Sequence, residues 1–251
     1  DVTSTINDNN YYFCDLAKPN SCEKLLQQTL PDQIFHLAGS FTNNYQLDYL
    51  SNVESAKNLL ESIKITQPNC RILLIGSAAE YGFSSETTNP IQETCPLRPA
   101  SVYGLTKVYQ TYLMGYYHEV HNLDIVMARP FNLYGKGMSD TLFAGAVYTQ
   151  IELLQKREIE FITVGNVTNE RDYIAIDEAI NHYITIMTHG QSGEIYNVGS
   201  GVSIQTKSLL KRILKQENID PSLVKHEDPT NIQNYDATKV YADISKLRAL
   251  R

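Results

Sequence analysis

The chain has 251 residues, enough for one α/β domain or for a large domain carrying a smaller lobe. With 42% apolar and 20% charged residues it has an ordinary globular composition, and its net charge of −7 argues against a dedicated nucleic-acid binder, which needs a concentrated basic face. No apolar run approaches the roughly 18 residues of a membrane span. Cys14, Cys22, Cys70 and Cys95 show neither metal-type pairing nor a dense disulfide framework, so we expect no membrane, no metal and a reducing, cytoplasmic compartment.

In chain order, short apolar strands alternate with amphipathic helices, the pattern of a parallel sheet covered on both faces. Tyr11–Cys14 reads as a strand and Ser21–Leu30 as a helix capped by Ser21. Gln33–Leu37 is a second strand. A long helix over Asp48–Thr66 follows, with Val53, Ala56, Leu60 and Ile63 on one face. Arg71–Gly76 is a near-continuous apolar strand of the kind buried on both sides. Ser101–His118 is the next helix, ahead of a strand over Asp124–Arg129. His118 and His121 lie three apart on or just past it, but no third ligand accompanies them.

From Pro130 onward, loops rich in Gly, Asn and Thr separate shorter elements: helices over Thr141–Lys156, Asp177–Thr188 and Ile204–Gln216, and a strand over Ile195–Val198. The Lys-rich stretch Lys207–Lys215 has leucines and isoleucine at helical spacing and reads as a solvated helix face. The expected architecture is a Rossmann-like doubly wound sheet with a smaller mixed α/β substrate lobe. Residues 1–130 form a dinucleotide-type core, and 131–251 form mainly the lobe, with one strand returning to the core.

The chemistry centres on Tyr103-Gly-Leu-Thr-Lys107, which sets a phenol and an ammonium one helical turn apart on one face. A free Tyr has a pKa near 10, and a close Lys charge is expected to lower it by favouring the phenolate. Spacing alone is weak, since chance supplies about one such pair in a chain this rich in Tyr and Lys. A second copy occurs at Tyr235-Asp-Ala-Thr-Lys239, in a polar stretch. Only the first copy follows a buried strand that delivers a hydroxyl, Ser77, at its carboxyl end, where open α/β sheets hold their ligands. A serine there can hydrogen-bond the substrate oxygen that Tyr103 protonates or deprotonates. In isolation, Ser77 would read as a helix cap or turn residue.

Five ordered blocks give the chain a resemblance to a known family. They are Phe35-His-Leu-Ala-Gly39, Gly76-Ser-Ala-Ala-Glu-Tyr-Gly82, Pro99-Ala-Ser-Val-Tyr-Gly-Leu-Thr-Lys107, Arg129-Pro-Phe-Asn-Leu-Tyr-Gly135 and Gly165-Asn-Val-Thr-Asn-Glu-Arg-Asp-Tyr173. Together they resemble the extended short-chain dehydrogenases/reductases of the NAD-dependent epimerase/dehydratase type, over about residues 11 to 250. The resemblance implies Ser77, Tyr103 and Lys107 as the catalytic triad, with NAD or NADP as cofactor. It implies that Asp15 and Leu16 meet the adenine, that Leu37, Ala38, Gly39 and Pro130 line the cofactor, and that Tyr103 and Lys107 also touch it. It gives Asn52 a part in organising the lysine and a water. Asn132 and Arg171 match residues holding the substrate's nucleotide diphosphate, for which a guanidinium suits.

The family's dehydratases carry two acids directly after the residue that matches Ser77. Here Ala78 and Ala79 occupy those positions, and Glu80, one place further on, is expected to point elsewhere. Reduction and epimerisation remain. The run from Gln150 to Tyr173 and Gly193-Glu-Ile-Tyr-Asn-Val-Gly-Ser-Gly201 look most like reductases of GDP-4-keto-6-deoxy-mannose, which favours a GDP-sugar substrate. A nucleotide-sugar 4-epimerase is the alternative, and a non-catalytic cofactor-binding protein a second one. Asp228-Pro-Thr-Asn-Ile-Gln-Asn234 carries no arginine where such reductases often do, so phosphate is expected to be gripped differently there.

No glycine-rich phosphate loop is present, and Gly39 is the first glycine. The resemblance implies a strand, a Gly-rich turn and a helix of about 40–60 residues ahead of residue 1, and a short tail after the last residue. The residue that discriminates NAD from NADP would fall in that front segment. A homodimer is expected through Asp48–Thr66 and Ser101–His118, with Tyr109, Tyr112, Tyr116 and Val120 supplying surface.

Overall fold

A computed structural model describes residues 11–66, 69–86, 88–227 and 239–250. Helix α1 (Pro19–Thr29) precedes strand β1 (Gln33–His36), and α2 (Tyr45–Asp48) runs through a π-helical turn at Tyr49–Glu54 into α3 (Ser55–Thr66). Strand β2 (Arg71–Ile75), a 3₁₀ turn at Ala78–Glu80, α4 (Val102–His121) and β3 (Ile125–Pro130) follow. Next come β4 (Asn132–Tyr134), α5 (Phe143–Gln155), β5 (Ile162–Val164), β6 (Glu170–Ala175) and α6 (Ile176–His189). The last elements are β7 (Ile195–Val198), β8 (Ser203–Gln205), α7 (Thr206–Gln216), β9 (Val224–His226), β10 (Lys239–Val240) and α8 (Ser245–Arg248).

The main sheet is parallel throughout, in the order β1-β2-β3-β7. Its two faces are both covered, as the apolar runs of β2 and β3 require. Ile72, Leu74, Ile125 and Met127 pack with Leu60 and Ile63 of α3 and Met114 of α4. Leu73, Val126 and Ala128 face the other way, against Ile186 and Met187 of α6. Val53, Ala56, Leu60 and Ile63 are buried, as the helical period predicts. A second sheet, β10-β6-β4 with β8 antiparallel to β6, and the pair β5-β9 build the mixed α/β part. Its separate core holds Val147 and Ile151 of α5, Ile162 and Val164 of β5, and Leu209 and Ile213 of α7. The fold is the doubly wound, Rossmann-like architecture expected.

Three local expectations need correction. Tyr11–Cys14 is not a strand: no strand pairs with it among the described residues, and Tyr11 and Phe13 are exposed. Helix α1 starts before Ser21, because Pro19 at its first position presets the helical φ; Ser21 accepts a hydrogen bond from the Asp15 amide instead of capping the helix. The long helix is not uniformly α, since Tyr49–Glu54 widens into a π turn. The run Asp228–Asn234 and the second tyrosine, Tyr235, lie outside the described residues.

Candidate active site

Beyond the carboxyl ends of β2 and β3 lies a cavity of about 580 Å³. Its walls include Ser77, Tyr103, Pro130, Asn132 and Arg171, so five of the residues singled out in the sequence meet at one place. Ser77 is delivered by the end of β2, and Tyr103 by the first turn of α4, which Ser101 caps by accepting from the Gly104 amide at 3.0 Å. Ala78 and Ala79 line the wall beside them. No carboxylate or imidazole stands among the described lining residues.

Lys107 sits below the cavity, 5% exposed, donating from Nζ to the Ile75 carbonyl at 2.8 Å and to Gln110 Oε1 at 3.1 Å. Its Nζ is 5.9 Å from the centre of the Tyr103 ring. Burial lowers its pKa to about 8, against the opposing pull of Glu80. The expectation that Lys107 depresses the Tyr103 pKa is not met. Burial pushes the phenol above its ordinary value, Ser77 pulls it back in part, and the charges of Glu80 and Asp48 push it further up. The ammonium is turned toward Ile75 and Gln110, so desolvation of the phenol dominates.

Asn52, fully buried in the π turn, accepts from the Ser40 amide at 2.9 Å and donates to the Ser40 carbonyl and to Thr106 Oγ1. Thr106 in turn donates to the Tyr103 carbonyl at 2.8 Å. Leu37, Ala38 and Gly39, just past β1, are exposed. A Cβ on Gly39 would lie 2.7 Å from Asn52 Oδ1 and 3.4 Å from Lys107 Nζ, so glycine alone leaves that approach to the lysine open. An open, apolar strand end beside a buried ammonium fits a nicotinamide ribose and ring. Asp15 and Leu16 do not line the cavity. Asp15 accepts from the Ala17 amide and pairs with Lys18, while Leu16 is tied to α3 through Asn58.

Asn132 donates to the Asp172 carbonyl at 3.1 Å, and Arg171 donates to the Glu170 carbonyl at 2.7 Å. Sequence reasoning missed the supports of the site. Asp48, fully buried, accepts from Ser40, Thr42 and Asn43 and so shapes the loop that sets Phe41 edge-on against Tyr103 at 4.8 Å. Burial pushes its carboxyl up, yet these hydrogen bonds outweigh burial and hold it below the ordinary range. Glu80 is fully buried and points away from the cavity, into an ion pair with Arg129 at 2.8 Å. The Ser-x-x-Glu pattern of a capping box was its visible sign. Among the described residues no group of three or more His, Cys, Asp or Glu could hold a metal. His118 meets the Leu123 carbonyl and His121 packs on Tyr116 and Tyr117.

A parallel α/β fold with a hydroxyl, a phenol and an ammonium gathered at the sheet's carboxyl edge defines a dinucleotide-dependent enzyme class. The model of the NAD dependent epimerase/dehydratase family matches residues 2–199, and the chain belongs to that family. It is 25% identical to GDP-6-deoxy-D-mannose reductase of Pseudomonas aeruginosa over 243 residues, 93% of this chain and 78% of that protein. UDP-glucose 4-epimerase of Mycolicibacterium smegmatis is 27% identical over 191 residues, 74% of this chain and 60% of the epimerase. Among solved structures, the NADPH complex of RMD from Pseudomonas aeruginosa superposes with a TM-score of 0.85 at 23% identity, covering 95% of this chain and 80% of that one. UDP-glucose 4-epimerase of Thermotoga maritima gives 0.81 at 21% identity, with 95% and 76% coverage. These two likenesses bear on the fold.

Proposed function

We propose that the chain catalyses NAD(P)-dependent reduction of a 4-keto nucleotide sugar, with GDP-4-keto-6-deoxy-mannose the favoured substrate. One observation carries the reading: the cavity wall presents a phenol beside a serine hydroxyl, with alanines next to them and no carboxylate or imidazole among its described residues. Elimination of water needs an acid and a base at the sugar, whereas reduction needs one proton donor. The 25% identity to the Pseudomonas reductase supports the same choice. When bound, the nicotinamide supplies hydride to the sugar carbonyl carbon. Tyr103 gives its proton to the forming alkoxide, and Ser77 donates a hydrogen bond to the same oxygen.

Lys107 and Asn52 hold the ribose side, with Leu37, Ala38, Gly39 and Pro130 against the ring and Asp15 and Leu16 toward the adenine. Asn132 and Arg171 take the substrate's diphosphate; Arg171 is the one charged residue among those described on the wall. In this reading residues 1–130 bind the dinucleotide and 131–251 mainly the sugar nucleotide, and four free thiols suit the cytoplasm. The exposed face of Leu47, Leu50, Tyr112, Tyr116 and Val120 would pair with its copy in a homodimer.

The test is a stopped-time assay of the full-length protein with a 4-keto nucleotide sugar. Consumption of one NAD(P)H per sugar is expected. Isomerisation without net consumption would favour the 4-epimerase reading, to which the Mycolicibacterium relative lends weight.

A further inference from the structure

We propose that Glu80 is a positioning residue of the reaction centre, its clamped carboxylate fixing the Ser77 main chain and hence the Ser77 hydroxyl beside Tyr103. The inference rests on the reductase reading above. Glu80 Oε1 accepts from the Ser77 amide at 2.7 Å, while Ser77 Oγ accepts from the Ala79 amide at 3.2 Å. These two bonds close a capping box that sets both the backbone and the hydroxyl of Ser77.

The carboxylate is itself held directly from two elements, α4 and β3. Oε2 accepts from Thr111 of α4 at 2.6 Å and from Arg129 of β3 at 2.8 Å. Arg129 also donates to the Tyr81 hydroxyl at 2.9 Å, which donates to Asn197 of β7 at 2.7 Å. Glycine at position 76 makes room, since a Cβ there would stand 2.5 Å from Glu80 Oε1. A buried ion pair stabilises a fold weakly, because desolvation offsets the attraction. What this pair supplies is direction: one carboxylate registers Ser77 against α4, β3 and, through Tyr81, β7.

Its charge also bears on proton donation. Glu80 raises the pKa values of both Tyr103 and Lys107 against the effects of burial on the lysine, and so favours phenol with ammonium. The other titratable groups facing Tyr103 are Asp48, Lys107 and Tyr183, and His36 faces Lys107.

The experiment measures kcat and KM across pH for Glu80→Gln, for Glu80→Ala combined with Arg129→Met, and for Thr111→Val, with folding followed by circular dichroism. The charge-balanced double variant should lose about 10- to 100-fold in kcat with KM within about threefold, the pattern of a displaced group. Glu80→Gln keeps one oxygen for the Ser77 amide but turns an NH₂ group toward Thr111 and Arg129, so its kcat near neutral pH should fall between those of the unmutated protein and the double variant. Its alkaline limb of kcat/KM should move to lower pH, because loss of the negative charge makes the phenol easier to deprotonate. If the double variant does not fold, Thr111→Val, which frees one clamp, should still lower kcat without raising KM. A folded double variant, or failing that Thr111→Val, with unchanged kcat overturns the proposal. So does an unmoved alkaline limb in Glu80→Gln. Inactivity of the unmutated protein toward the sugar would instead refute the reductase reading.

Discussion

Asp172→Asn tests how the wall that carries Arg171 is held. Asp172 is fully buried, and its carboxylate gathers four hydrogen bonds from two segments. Oδ1 accepts from the amide and hydroxyl of Ser200, each at 2.7 Å. Oδ2 accepts from the amides of Gly201 at 3.0 Å and Ala242 at 3.1 Å. An asparagine keeps one oxygen, so two of the four donors would face an NH₂ group. Hydrogen bonds to a charged acceptor contribute about 1.5–3 kcal/mol each, and relief of carboxylate desolvation offsets part of the loss. There is little room to relax, because a Cβ on Gly199 would already stand 2.5 Å from Oδ2. We expect a destabilisation of about 3–4 kcal/mol, which lowers a urea midpoint by roughly 1 M or more at an m-value of about 3 kcal/mol/M. Urea unfolding followed by circular dichroism measures it. A midpoint shift under about 0.3 M would refute the claim that this carboxylate ties β6 to the 199–201 and 242 segments.

Tyr103→Phe should lower turnover by about 10²–10⁴-fold with dinucleotide affinity nearly intact, read by steady-state kinetics and fluorescence titration. Unchanged turnover would remove Tyr103 from the chemistry. His36, 4% exposed, has its pKa lowered to about 4 by burial and then by Lys107, and its Nε2 has no partner among the described residues. Between pH 6.5 and 4 the unfolded state therefore binds the proton more readily, so stability should fall with pH by up to about 3 kcal/mol. Denaturation of a His36→Gln variant at pH 4.5 and 7 should show less of that loss, and an equal loss would contradict the assignment. Tyr112, 66% exposed on α4, should matter for assembly. Tyr112→Glu should shift sedimentation from dimer to monomer, and an unchanged dimer would place the interface elsewhere.

The sequence made the central sheet legible because β2 and β3 are apolar runs buried on both faces, and α3 and α4 carry a clear helical period. Strands β4, β5, β8, β9 and β10 were not legible. They have only two or three residues, too few for alternation to register. Ser77, Tyr103, Asn132 and Arg171 could be gathered in advance because ordered motifs carry them. Their supports could not. Glu80 announces a capping box locally, but its turn into the core depends on Arg129, 49 residues away. Asp48 likewise acts on a loop whose path only the folded chain defines. The direction of the Tyr103 shift depends on burial, which no spacing of Tyr and Lys encodes.

The most direct test of the account follows the hydrogen that reaches the sugar. The full-length protein would be given a 4-keto nucleotide sugar and NADH or NADPH carrying deuterium at the transferable C4 position, and the product analysed by NMR. The account predicts one deuterium at sugar C4 for each dinucleotide oxidised. An isomerised product without deuterium, formed with no net oxidation of the dinucleotide, would contradict it.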